Sequence, residues 1–378
     1  MKNIFLLGAT GSIGKSALEV IAANSAKFSL AGIAYNKNHK AADEIITKYD
    51  PRFIFSQEIE EKKYGKEGAA KLLNRLIASK KIDIVISGIS GISGLESTFQ
   101  AVKSGKYILL ANKESVVAGG DILIPLARKS GAKIIPIDSE HNAINQCIYG
   151  SKKNLKEITK VTITASGGPF ISRALKSLAN VNLHEALQHP TWRMGKKITI
   201  DSATLINKCL ELIEAAYLFN LKSSQLDVII HQQSIVHSLV TYKDGSTIAQ
   251  LSNPSMTIPI ANALGGILNK RLAISFDELF TKGTKLTFKK LPSDRRQSFN
   301  LAYDVINKKG NAGAVFNAAN EIAVKGFIDG KIKFLEIYRV IQETMDYVPW
   351  SKISNLNDIY YFDNYARKYA LKVLKSLS

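Results

Sequence analysis

A chain of 378 residues with 46% hydrophobic content can bury more than one core, and its two cysteines, Cys147 and Cys209, are too few for a disulfide framework or a zinc cluster. The apolar run at residues 4–7 stops at Gly8, far short of a secretory or membrane-spanning segment, so a cytoplasmic protein without a membrane partner is expected. A formal net charge of +19 favours anionic partners, but lysine outnumbers arginine about four to one and is spread along the chain, a solvated surface rather than a nucleic-acid reading face.

Residues 1–137 alternate short apolar strands, expected at 4–7, 30–34, 53–55, 82–86, 107–110 and 134–137, with helices expected at 15–23, 39–48, 68–80, 95–104 and 121–130. That alternation builds an α/β, Rossmann-like, doubly wound parallel sheet covered on both faces. Segment 56–68 carries no diagnostic pattern. Residues 138–268 read as a central α/β domain, with strands at 157–164, 197–200, 227–242 and 247–251 and a hairpin turn at Asp244-Gly245. Residues 269–295, with Lys270, Lys282, Lys285, Lys289, Lys290 and Arg295 broken by Gly283 and Pro292, read as a solvent-facing linker that runs on to Arg296. Residues 296–378 carry helical patterns at 297–308, 312–329, 335–345 and 356–377, a C-terminal α-helical domain.

The glycines at 8, 11 and 14 follow the first strand and open the first helix, where tight turning lets a pyrophosphate reach free N–H groups. A merely tight turn is the alternative. The second strand runs into Asn36, Lys37 and Asn38 with no carboxylate to hold a ribose 2′-OH, which favours NADP over NAD with Lys37 as the charge partner. Two later strand ends lead into polar clusters, 111–115 and 138–142, on the side of the sheet where ligands bind. Asp138 and Glu140, two apart in extended chain, can converge on a hard cation, and Glu211 would add a third carboxylate. Oxygen ligands suit Mg²⁺ or Mn²⁺. Taken alone, an Asp-x-Glu at a strand end is more often a cap.

Ser166-Gly167-Gly168-Pro169 can seat a phosphate or simply turn the chain. Residues 189–214 join an aromatic loop to a helix with Thr204, Asn207, Lys208, Glu211 and Glu214 on one side. Such a stripe can hold an anion and a metal, or it can be an i, i+3 Lys-Glu pair facing water. Trp192 and Met194, between Pro190 and Gly195, suit a lid over a site or an anchor to a core. His237, on an apolar strand, reads as a core histidine.

Segments 8–14, 111–115, 138–142, 166–170, 189–195, 201–211 and 317–321 together resemble, in order, the signature set of the 1-deoxy-D-xylulose 5-phosphate reductoisomerase family. The resemblance implies a homodimeric, NADPH- and divalent-metal-dependent enzyme of non-mevalonate isoprenoid synthesis acting on a small phosphorylated ketose. It implies rearrangement of 1-deoxy-D-xylulose 5-phosphate by retro-aldol cleavage and re-addition, then hydride transfer to give 2-C-methyl-D-erythritol 4-phosphate. It places NADPH on Thr10, Gly11, Ser12, Ile13, Asn36, Lys37, Asn38, Asn112, Glu114 and Gly195, and the metal on Asp138, Glu140 and Glu211, which with Lys113 form the catalytic set. The substrate phosphate falls to Ser166, Ser202, Asn207 and Lys208. Lys113, Ser139, Glu140, Glu211 and His189 contact the rest of the substrate, with Trp192 and Met194 closing over it. Cys209 departs from a family glycine and Asn36 from a small residue. The alternative is another NADP-linked oxidoreductase, of the semialdehyde dehydrogenase type, with Cys147 as nucleophile.

Overall fold

The computed structural model describes residues 1–149, 155–192, 194–279 and 285–377; Lys282 and Gly283 of the basic stretch lie outside them. Two compact units interleave along the chain, 1–115, 123–142 and 255–277 forming the first and 116–122, 143–254 and 278–378 the second.

Strands β1 (Lys2–Leu7), β2 (Phe28–Tyr35), β3 (Phe53–Ser56), β4 (Ile84–Ser87), β5 (Tyr107–Leu110) and β6 (Lys133–Pro136) build the first sheet. They alternate with α1 (Ser12–Ala23), α2 (His39–Tyr49), α3 (Gln57–Ile77), α4 (Leu95–Lys103) and α5 (Lys113–Ser130), and α6 (Ser139–Tyr149) follows. All pairings are parallel, in the order β3-β2-β1-β4-β5-β6. This doubly wound order, expected from the sequence, opens a ligand crevice at the carboxyl ends of the strands. Helix α3 starts eleven residues before the expected position because its first turns are polar and carry no apolar period; a break at Gly65, φ 69°, divides it.

The second unit contains β7 (Ile158–Ala165), α7 (Leu183–Ala186), α8 (Lys196–Ala203), α9 (Ile206–Phe219), β8 (Leu226–Ile230), β9 (Val236–Tyr242) and β10 (Thr247–Leu251). Next along the chain, α10 (Thr257–Ile267) returns to the first unit, where Ile260 and Leu264 are fully buried beside Ile4, Leu6 and Ile86. Each stabilises that attachment by about 1.5–3 kcal/mol. The short β11 (Lys289–Lys290) completes a mixed sheet, β10-β9-β7-β8-β11. Four helices end the chain: α11 (Gln297–Lys308), α12 (Ala312–Ile328), α13 (Glu336–Tyr347) and α14 (Leu356–Leu377). Among the described residues no helix is long and apolar enough to cross a membrane.

Three expectations are corrected. Residues 197–200 belong to α8 and are not a strand: Lys197 and Asp201 pair at i, i+4 (2.8 Å), a helical spacing that outweighs the short alternation of Ile198 and Ile200. The expected strand 227–242 is β8 and β9, parted by a turn with Ser234 at φ 53°. The basic stretch is mostly exposed, but β11 pairs with β8 and Arg295 is buried.

Candidate active site

In the first unit the chain leaves β1 through Gly8 at φ 78°, and the Gly8 and Ala9 amides donate to the Ala34 carbonyl at 2.9 and 3.0 Å. A Cβ on Gly8 would stand 2.7 Å from the Gly88 carbonyl oxygen, and one on Gly14 only 2.2 Å from that of Ala9. Packing therefore demands these glycines. Helix α1 starts at Gly11 with no side-chain cap and no acid in its first turn, so the electropositive end suits a pyrophosphate. Thr10, Ser12 and Ile13 lie on this turn, half-buried or exposed. Beyond β2, Asn36, Lys37 and Asn38 are exposed, and Asn38 caps α2 by accepting the Ala41 amide at 3.2 Å.

At the end of β5, Asn112 caps α5 by accepting the Ser115 amide at 2.8 Å while its Nδ2 donates to Gly91 O at 2.9 Å and also to Ile89 O. Its side chain thus ties loop 89–91 to the strand end. Glu114 is buried in the next turn. Lys113 is buried against Asp138, its ammonium on Oδ2. Burial pushes the Asp138 carboxyl up, but the Lys113 charge, with His141 on its other oxygen, holds it well below the usual carboxylate range. Ser139 donates to Glu140 Oε2 at 2.6 Å. The first unit thus gathers Lys113, Asp138, Ser139 and Glu140.

In the second unit β7 gives way to Ser166, then Gly167 and Gly168, both left-handed at φ 85° and 65°. A Cβ on Gly168 would stand 2.8 Å from the Ser202 carbonyl oxygen, so this loop lies on the end of α8. Ser166 Oγ is 3.0 Å from His189 Nε2, and His189 Nδ1 accepts the Trp192 and Thr191 amides at 2.9 and 3.2 Å. With Nδ1 accepting, the neutral ring carries its proton on Nε2 and donates to the serine. Trp192 stands edge-on to His237, 6.5 Å between centroids; His237 is buried with Nε2 3.3 Å from Ser252 O, the environment of a core histidine. Met194 is half-buried and Gly195 is the N-cap of α8.

The polar-striped helix is two helices. Thr204 closes α8, and Leu205, at φ 63° and buried, turns the chain into α9. A leucine held in the left-handed region stores about 1–3 kcal/mol of strain at this corner. On α9, Glu211 is 2% exposed; Lys208 Nζ lies 2.6 Å from its Oε2 and Asn207 Nδ2 2.5 Å from its Oε1. The Lys-Glu pair does not face water. Glu214 is buried one turn on.

The sequence reading missed Asp201. It is buried, accepts from Asn320 Nδ2 at 2.9 Å and pairs with Lys197, so it joins α8 to α12 just before Ser202. The signal was present: Asn317 and Asn320 are poor formers of a helix interior, and such residues persist there when their side chains have partners.

A doubly wound parallel sheet with a glycine-rich turn after its first strand is the architecture of the dinucleotide-binding folds. Models described as 1-deoxy-D-xylulose 5-phosphate reductoisomerase, its C-terminal domain and the DXP reductoisomerase C-terminal domain match residues 4–120, 134–219 and 251–369. The 1-deoxy-D-xylulose 5-phosphate reductoisomerase of Thermodesulfovibrio yellowstonii is 42% identical, covering 98% of this chain and 99% of its own, and that of Vesicomyosocius okutanii is 40% identical, covering 99% of both. The solved structure of the Zymomonas mobilis enzyme in complex with NADPH has a TM-score of 0.90 at 36% identity over 100% of both chains. One described as DOX-P reductoisomerase with NADPH, fosmidomycin and magnesium has a TM-score of 0.90 at 34% identity, over 99% of this chain and 98% of that one. The chain belongs to the 1-deoxy-D-xylulose 5-phosphate reductoisomerase family. Its activity is that of a 1-deoxy-D-xylulose 5-phosphate reductoisomerase.

Proposed function

We propose that Asp138, Glu140 and Glu211 hold one Mg²⁺ or Mn²⁺, while Ser166, Ser202, Asn207 and Lys208 hold the substrate phosphate. The observation that carries this reading is the buried group on α9, where an ammonium and an amide flank the Glu211 carboxylate out of water. A buried charge needs such partners, and a donor set of carboxylate oxygens fits a hard divalent ion. NADPH lies along the 8–14 turn, on Thr10, Gly11, Ser12 and Ile13, and over Asn36, Lys37 and Asn38, with Asn112, Glu114 and Gly195 completing its site. The uncapped start of α1 supports its pyrophosphate.

When bound, the metal acts as a Lewis acid on adjacent substrate oxygens and NADPH supplies the hydride. Lys113, on Asp138, provides positive charge and a group able to pass a proton. Lys208 and Asn207 fix the phosphate, and the binding energy brings Trp192 and Met194 over the site so that they exclude water. Ser139 and His189 orient the remaining hydroxyls. Functionally, residues 1–137 bind NADPH, 138–268 carry catalysis and dimerisation, 269–295 link, and 296–378 form the helical domain. The protein works as a cytoplasmic homodimer, without nucleic-acid or membrane partners.

The semialdehyde dehydrogenase alternative needs a reactive Cys147. That thiol is buried and burial pushes it up to about 11, the reverse of what a nucleophile requires. The test follows NADPH absorbance with 1-deoxy-D-xylulose 5-phosphate, with and without Mg²⁺ or Mn²⁺. Metal-dependent oxidation is expected; folded protein with none would overturn the reading.

A further inference from the structure

Arg295 ends the short 3₁₀ turn Ser293–Arg295 at the close of the lysine-rich stretch, yet it is only 4% exposed. Its Nη2 donates to the carbonyl oxygens of Arg173 at 2.8 Å and Phe170 at 3.2 Å. Those carbonyls belong to the loop that begins with Ser166 and the left-handed Gly167 and Gly168. Next to it, Asp294 Oδ2 accepts the Leu175 amide at 3.3 Å, so the turn grips segment 170–175 at three points. The same turn is linked to α9 through Ser298 of α11. Ser298 Oγ donates to Arg295 O at 2.8 Å, and Ser298 O accepts from Cys209 Sγ at 3.2 Å, one residue beyond Lys208. A family glycine at 209 could not make that last contact.

Burying a guanidinium is costly unless its donors are used and its charge is balanced. Among the described residues Arg295 bonds neutral carbonyls and forms no ion pair with a carboxylate. The carbonyls it bonds lie on the chain that follows Gly167 and Gly168, whose left-handed backbone suits an anion.

We propose that Arg295 is a positioning residue for the substrate's phosphate group. Its side chain fixes the loop that follows Ser166, and its carbonyl, through Ser298, links that loop's anchor to α9 beside Lys208. The proposal rests on Ser166 and Lys208 being phosphate ligands.

The test compares Arg295→Met, Arg295→Lys and Ser166→Ala in enzyme supplied with NADPH and Mg²⁺, with inorganic phosphate as a competing probe. Arg295→Met is expected to raise the KM for the phosphorylated ketose and the Ki of inorganic phosphate together, roughly tenfold, with kcat changed less and NADPH affinity unaltered. Arg295→Lys, which keeps the charge but not the fork, falls between. A purely structural role would lower stability and the active fraction but leave KM and the phosphate Ki in place, and that result in folded Arg295→Met overturns the proposal. If Arg295→Met does not fold, Arg295→Lys decides on the same two constants. Ser166→Ala separates the two levels: if it raises KM and Ki while the Arg295 variants do not, only the Arg295 role fails, and if it changes neither, the phosphate assignment fails and the proposal with it.

Discussion

Ser166 Oγ and His189 Nε2 lie 3.0 Å apart, and the other nitrogen of that ring accepts the Trp192 amide at 2.9 Å. One imidazole thus ties the loop after β7 to the backbone that carries Trp192. His189→Ala removes both links. It should raise the KM for the phosphorylated ketose about tenfold and lower kcat, since the aromatic segment loses its anchor. Steady-state kinetics at saturating NADPH would check this; an unchanged KM would sink it.

Lys208 and Glu211 form a buried pair at 2.6 Å, and breaking such a pair by removing one charge costs about 3–5 kcal/mol. The kinetic signatures should nevertheless differ. Glu211→Gln should raise the Mg²⁺ concentration for half-maximal rate at least about tenfold, whereas Lys208→Ala should mainly raise the KM for substrate. Metal titrations of both variants would distinguish them, and full activity of Glu211→Gln at low Mg²⁺ would remove Glu211 from the ligand set.

Gly14→Ala places a Cβ 2.2 Å from the Ala9 carbonyl oxygen, and backbone on backbone cannot yield cheaply. It should destabilise by about 3 kcal/mol or more and abolish NADPH binding. Gly266 in α10 is the contrast, because a Cβ there meets nothing within 4 Å. Gly266→Ala should be neutral or stabilise by up to about 1 kcal/mol. Thermal melts with and without NADPH would rank the pair.

Burial raises the Cys147 thiol from the ordinary 9.0 to about 11, so the folded chain keeps that proton longer than the unfolded one. The corresponding stability is fully present below pH 9 and is lost as pH rises through 11. Cys147→Ala should flatten that alkaline decline, retain NADPH oxidation and leave alkylation of the native protein at pH 8 as slow as before. Rapid alkylation of native Cys147 would contradict this.

Most of the first sheet was legible because each parallel strand is a short apolar run bounded by turn residues. Glycines at 8, 11 and 14 were legible because their spacing has one steric purpose. What sequence concealed were long-range partners. Lys197 to Ile200 alternate apolar and polar residues like a strand, and only the Asp201 partner on α12 and the pair with Lys197 reveal the helix. Arg295 sits in a lysine-rich stretch and reads as solvated, because the carbonyls of Phe170 and Arg173 are more than a hundred residues away in sequence. The α9 stripe was visible, yet whether it faced water depended on the surrounding core.

Leu205 turns that corner in a backbone conformation that glycine would adopt freely, while its side chain fills the core. Relaxing the corner with glycine would recover about 1–3 kcal/mol of strain but empty a leucine-sized volume, a loss of roughly 3–5 kcal/mol. Lost packing outweighs relieved strain, and the leucine stays. Thermostability engineering that ranks positions by backbone comfort alone would therefore choose this one first, and lose by it.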